Sequence, residues 1–411
     1  MRTCQALYSR GASYVLKALN FIYIDGKFDR GVLSFLSFME AEQGRRWSYV
    51  RVIRIAGTVD SYDVAGQLAA ALRHANNLRK LVLCCAESFL GMHADLAPAL
   101  ESLTTIEELE AHDVGSRVSA LLQYAKWPLW RVRLDRIHMD DGSQSSGTTN
   151  PAFLLKNAQS TLTELVCARW LWFKEWLPTY PTYPNLRLFC ISQYDDVPVS
   201  FWIQAYPNVT SLSTRLPDDF CGEMVGARLN SFMATRDNNQ KCITALGKRC
   251  WQVLDQHSSS CITGLYLLAI PCRVRRIYLS RMDPRDMQFL PDVMAFARPE
   301  ELEVDVYDLS LTPKLARSLQ EYLKRAEDSL ADLRVFHLPG VWLGGGLGSS
   351  VSDTLVSSTS SQATSEMLTE RFRLRSSCPG SVIFAACAAL WSARKINGLN
   401  RLGTMTARAY T

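Results

Sequence analysis

The sequence has no Cys-X-X-Cys pair among its 12 cysteines and no Gly-X-Ser-X-Gly elbow. It has no Lys-Ser or Lys-Thr ending after a glycine loop, and no apolar run long enough to cross a membrane. Each absence excludes a class of function. Zinc sites usually open with a ligand pair two to four residues apart. Cys242, Cys250, Cys261 and Cys272 around His257 are spaced far more widely, so no metal and no other cofactor is expected. Cys84, Cys167 and Cys190 lie inside apolar runs, where a thiol behaves as a small hydrophobe rather than part of a disulfide framework. Without the elbow there is no serine nucleophile of that type. The six histidines are scattered, no nucleophile, base and metal set converges, and no enzymatic activity is expected. Gly344 to Gly348 lacks the phosphate-loop ending and a helical continuation. Ser376 to Ala393 is uncharged, but its continuous apolar part runs only from Val382 to Trp391, short of the roughly 20 residues of a span. No membrane contact is therefore expected. Met1 to Gln43 has no basic flank followed by an unbroken apolar core, so no secretory leader is read. A reducing compartment follows, cytoplasmic or nuclear.

Acidic residues are missing from one region altogether. Arg371 to Thr411 holds seven Lys and Arg and no Asp or Glu, which leaves the first 370 residues of this +5 chain at −2. A nucleic-acid binder more often carries its basic excess on the folded body. Nucleic acid is accordingly not expected as a partner; a binder of that class would show a steep loss of affinity with salt.

What the sequence does contain is a repeat. The pattern is an apolar residue, two variable residues, an apolar residue, one variable residue and a last apolar residue. It occurs at Val50–Ile55, Leu78–Leu83, Ile106–Ala111, Leu129–Leu134, Leu162–Cys167, Leu186–Ile191, Val209–Thr214, Val274–Leu279, Pro299–Val304 and Leu330–Val335. Most central residues are 23 to 33 positions apart, and one gap of 65 leaves room for weaker copies at Leu229–Ala234 or Ile262–Leu267. Helical patterns precede the strands: Leu68, Ala71, Leu72 and Ala75 share one face, and so do Leu315, Leu319, Tyr322 and Leu323. A lone helix–strand unit cannot cover its own apolar face, so units stack. Parallel strands joined by helical crossovers coil right-handedly. The expected fold is α/β: a right-handed β/α solenoid over 49–340. A helical N-terminal segment is expected over 1–48. A Gly/Ser/Thr-rich linker and a basic, poorly ordered tail, dispensable for folding, are expected over 341–411.

The strand cores resemble those of the leucine-rich-repeat family. That family usually places Asn or Cys three residues after the last apolar strand position, where a side-chain ladder forms. Here Ala86, Trp170 and Tyr194 stand there, so the resemblance implies an irregular arc without that ladder. Cys4 to Tyr14, Leu19 to Ile24, the apolar Leu33 to Phe38 and the basic Arg45-Arg46 resemble in order the segment after the F-box of fungal F-box and repeat proteins. The Leu-Pro pair and apolar helix that open an F-box do not precede Cys4, so residues 1–48 correspond at most to its remnant. The resemblance implies a substrate-recruiting adaptor that docks on the linker subunit of a cullin-type ubiquitin ligase. The alternatives are a free-standing repeat scaffold with no ligase link and, behind it, a nucleic-acid-binding protein.

Two groups are candidate contact residues. Trp170, Trp172, Phe173, Trp176, Tyr180 and Tyr183 cluster tightly and read as packing between repeats. The variable strand positions read as a protein-binding surface on the concave face: Arg51, Arg54, Arg79, Lys80, Glu107, Glu108, Glu110, Arg131, Arg133, Glu164, Arg187, Arg275, Arg276, Glu300, Glu301 and Glu303. Their sign alternates in bands. Such a surface suits a folded protein target of complementary charge, with an acidic patch expected against Arg79, Lys80, Arg131 and Arg133 and a basic one against Glu107 and Glu108.

Overall fold

The computed structural model describes residues 21–24, 29–57 except 42, 61–136, 150–170, 181–192, 199–215, 224–280, 286–304 and 335–337, with single positions at 11, 14, 16 and 333. The chain divides into a unit of Met1–Val341 and a second unit, Trp342–Thr411, which lies outside the described residues together with the expected linker and tail.

The first unit is an α/β structure. In chain order the elements are β1 (Phe21–Ile24), α1 (Asp29–Glu40), β2 (Val52–Ile55), α2 (Tyr62–Leu72), β3 (Lys80–Leu83), α3 (Ala86–Gly91), α4 (Leu96–Glu101), β4 (Glu108–Val114), α5 (Ser116–Tyr124), β5 (Arg131–Arg136), α6 (Pro151–Leu154), β6 (Glu164–Ala168), β7 (Leu188–Ser192), α7 (Val199–Ala205), β8 (Ser211–Arg215), α8 (Met224–Leu246), β9 (Val253–Ser259), α9 (Ile262–Leu268), β10 (Arg273–Leu279), α10 (Leu290–Ala297), β11 (Glu301–Val304) and β12 (Val335–His337). The twelve strands form one sheet in sequence order, and every neighbouring pair is parallel. This order is compatible with a solenoid-like stack of strand–helix units.

The register explains the sequence pattern. The pairings align Ile53, Leu81, Leu109, Val132, Leu165, Phe189, Leu212, His257, Ile277 and Leu302 into one column. Ile55, Leu83, Ala111, Leu134, Cys167, Ile191, Thr214, Ser259, Leu279 and Val304 form the next inward column, and nearly all of both are fully buried. Alternate residues of a strand face opposite ways, so the intervening positions form the other face.

Three large aromatics join successive units by donating back to a carbonyl of the unit before. Trp127 Nε1 donates to the Leu100 carbonyl (3.2 Å), the Tyr183 hydroxyl to that of Ala152 (2.5 Å) and Trp251 Nε1 to that of Tyr206 (2.9 Å). Trp170 and Tyr183 are buried core residues, as packing between repeats requires. Trp172, Phe173, Trp176 and Tyr180 lie outside the described residues.

A side-chain ladder does form, but ahead of the strands. Asn77, Thr105, Thr161, Asn185 and Asn208 each stand four residues before a central strand residue. They donate to the carbonyls of Ser48 (2.7 Å), Leu78 (2.7 Å), Leu129 (2.8 Å), Ser160 (2.6 Å) and Pro184 (2.9 Å), each in the preceding unit. Of the residues three positions after the last apolar strand residue, Ala86 and Trp170 are buried in the core and Tyr194 lies outside the described residues.

Three expectations are corrected. Within 1–48, Phe21–Ile24 is a strand paired with β2, so this segment is not wholly helical. In the wide gap, Leu229–Ala234 lies in α8 and Ile262–Leu267 in α9; the strand there is β9, whose central column residue is His257. A polar residue at an apolar position hid it. The last strand is centred on Phe336, which pairs with Leu302, rather than on Leu333. The helical pattern around Leu315 to Leu323 lies outside the described residues.

Candidate partner-binding face

The face of the sheet that carries the variable positions brings charges of adjacent strands side by side. Lys80, Glu108, Arg131 and Glu164 occupy one row on β3 to β6. Strands in a sheet lie about 4.8 Å apart, so residues in one row are within reach of each other. Lys80 Nζ is 3.2 Å from Glu108 Oε2, and Arg131 Nε is 3.0 Å from Glu164 Oε2 with Nη1 4.0 Å from Glu108. One position earlier, Arg79 pairs with Glu107. In the row beyond, Arg133 Nε lies 4.0 Å from Glu110 Oε1. A second group joins β9, β10 and the start of β11: Arg275 reaches Asp255 (3.5 Å) and Glu300 (3.9 Å), and Arg273 reaches Glu300 (3.2 Å).

The bands of charge are thus paired with one another within the sheet. Arg79, Lys80, Arg131 and Arg133 already face Glu107, Glu108, Glu110 and Glu164. The alternation of sign along the sequence is the condition for pairing across a parallel sheet. The pairs remain open to solvent: the side chains of Arg79, Arg131 and Arg133 are 48, 52 and 54% exposed. Exposed pairs contribute only about 0–1 kcal/mol each, so a partner can exchange them at little cost.

The other predicted residues divide. Arg51 donates to the Asn77 carbonyl (3.0 Å), and Arg187 to those of Pro184 (2.8 Å) and Asn208 (3.3 Å); both bind the turns ahead of the strands. Arg54 is exposed on β2 opposite Val82, and Arg276 is exposed between Gln256 and Glu301. Arg54 and Arg276 thus lie on the same face as the ladder but outside its β3–β6 centre.

At the carboxyl ends of β4 to β6 the ladder continues into a cluster that sequence reasoning missed. His112 Nε2 is 2.8 Å from Glu110 Oε1 and its Nδ1 is 3.4 Å from Asp135 Oδ2. Arg169 Nε donates to Asp135 Oδ1 at 2.8 Å. Burial pushes the Glu110 carboxyl up, but the His112 hydrogen bond and Arg133 outweigh it and hold it below its ordinary value. The bond to Asp135 raises Arg169 further above its usual range. Asp113, at φ 68, is raised by burial and then by Glu87. Nothing in the spacing of His112, Asp135 and Arg169 marks them; only the register of β4, β5 and β6 brings them together.

Among the described residues no group of His, Cys, Asp and Glu is arranged to hold a metal ion, and no helix is long and apolar enough to cross a membrane. Of the thiols around His257, Cys250, Cys261 and Cys272 are buried, and burial raises the Cys250 thiol and lifts Cys272 to about 12, which disfavours the reactive thiolate at these two positions. No protein-family model matches this chain, and no curated protein is significantly similar to it.

Proposed function

We propose that this protein is a non-enzymatic recognition module that holds a protein partner against the strand face of a right-handed β/α solenoid of leucine-rich-repeat type. The observation that supports this reading most is the ladder from Arg79 and Lys80 to Glu164: half-exposed charges of both signs held in fixed register on four adjacent strands. Parallel pairing sets the spacing of these charges to that of the backbone, and a rigid pattern of both signs gives orientation and specificity more than raw affinity. The partner that fits carries interleaved acidic and basic side chains rather than a patch of one sign. Hydrogen exchange of the complex tests this: added protection is expected in β3 to β6, and protection confined to the helices overturns it.

The resemblance of Cys4 to Phe38 extends the proposal to recruitment of that partner to a cullin-type ubiquitin ligase through its linker subunit. The free-standing scaffold is favoured by one observation. Phe21–Ile24 pairs with β2, which commits part of the segment to the sheet. Co-purification decides between them: stoichiometric linker subunit supports the adaptor, and its absence from a complex that retains the partner supports the scaffold.

A further inference from the structure

A groove of about 380 Å³ lies among α8, the turn after α9, and α10, lined by Arg236, Gln240, Ala269, Pro271, Asp292, Ala295 and Phe296. Ligand pockets usually span about 300–1,000 Å³, so this one suits a small molecule. Arg236 packs on an aromatic platform. Its guanidinium carbon sits 4.2 Å above the ring centre of Tyr266, which in turn stacks on Phe289 at 4.3 Å with the planes 27° apart. Tyr266 is 2% exposed, so the platform under the guanidinium is fixed. The Arg236 Nε is shielded and finds no hydrogen-bond partner, and the side chain lines the groove. Among the described residues no carboxylate comes within ion-pair distance of Arg236, although Asp292 lines the same groove.

Two opposite charges share one small groove and do not pair with each other. We propose that this groove binds a small zwitterion, its carboxylate on the terminal nitrogens of Arg236, its ammonium on Asp292 and its apolar part against Phe296, Ala295 and Pro271. A planar guanidinium receives a carboxylate through two parallel hydrogen bonds, and stacking on Tyr266 fixes the plane in which they form. Asp292 stands in the first turn of α10, anchored to a helix rather than a loop. A ligand with only one of the two charges leaves the other groove charge without a partner.

Calorimetric titration of the full chain tests this with three probes of similar size: L-leucine, 4-methylpentanoate, which lacks the ammonium, and 3-methylbutylamine, which lacks the carboxylate. Leucine should bind saturably, and each relative should bind at least about tenfold more weakly, the value of one lost hydrogen bond to a charged group. Asp292→Asn should reduce leucine affinity to that of 4-methylpentanoate, and Arg236→Gln to that of the amine. Asp292 is exposed, so Asp292→Asn should keep the unfolding midpoint even where Arg236→Gln lowers it through the lost stack. No saturable leucine binding, equal binding of leucine and 4-methylpentanoate, or affinity unchanged in Asp292→Asn would overturn the proposal.

Discussion

His257 occupies a column that is otherwise aliphatic or aromatic from Ile53 to Leu302, and it is fully buried. Its Nε2 lies 3.2 Å from Thr214 Oγ1, while Nδ1 has no hydrogen-bond partner. Burial lowers its pKa to about 3. The unfolded chain, with an ordinary imidazole near 6.5, binds this proton first. Stability is therefore complete above pH 6.5 and falls as the pH drops from there toward 3. His257→Leu should stabilise the protein by about 1 kcal/mol at neutral pH, because a buried unpartnered polar atom disappears and Thr214 keeps its 3.3 Å bond to Ser259. Denaturant titration at pH 7 and pH 5 should show the wild type losing about 2 kcal/mol more than the variant; equal losses would show that His257 is protonated in the folded state. Glu87 gives a second residue-level prediction. Its carboxylate accepts from the backbone N–H groups of Arg117 (3.0 Å) and Val118 (3.2 Å), so it caps α5 from the preceding unit. A Cβ at Gly115 would come 2.5 Å from that carboxyl. Glu87→Ala should cost about 1 kcal/mol, as lost caps do. Gly115→Ala should cost at least as much in the wild type but much less in the Glu87→Ala background. Additive costs in that double-mutant cycle would contradict the cap.

Among elements, the strand cores were the most legible part of the sequence. Period-two alternation combined with a spacing of 23 to 33 residues located nine strands, because inward positions must be apolar wherever the units stack. Legibility failed where polar chemistry entered the core, at His257, and where a strand was offset from its motif, at Phe336. The charged face was legible as a set of positions but not as a set of pairs, because pairing depends on inter-strand register and on nothing local to one repeat. The ladder ahead of the strands was present in the sequence as Asn or Thr four residues before Leu81, Leu109, Leu165, Phe189 and Leu212. The leucine-rich-repeat pattern places its ladder at the other end of the strand, so these positions carry no mark from the resemblance. Asn185→Ala and Asn208→Ala should each cost about 1 kcal/mol by chemical denaturation, the net value of one hydrogen bond, whereas Asn76→Ala, exposed and one residue outside the ladder, should be neutral. Equal effects at all three positions would remove the ladder from the account.

At the scale of the whole sheet, each strand pairs with its sequence neighbours alone among the described residues. Stability in such stacks is a sum of local and nearest-neighbour terms. Leu302→Ala, a buried truncation costing about 2–5 kcal/mol, should therefore raise amide exchange in β10 to β12 and leave β2 to β4 protected. A uniform loss of protection would mean that the sheet unfolds as one cooperative block. The proposed recognition depends on the same geometry. The ladder charges can be moved without breaking their pairs by the fourfold exchange Lys80→Glu, Glu108→Lys, Arg131→Glu and Glu164→Arg, which keeps opposite signs adjacent on β3 to β6. The most direct measurement is the affinity of this variant for the partner that the wild type captures, with the unfolding midpoint determined alongside. The midpoint should hold, since each pair is preserved, and the affinity should fall by at least about tenfold as like charges meet across the interface. An unchanged affinity in a variant that folds as the wild type does would contradict recognition by this face.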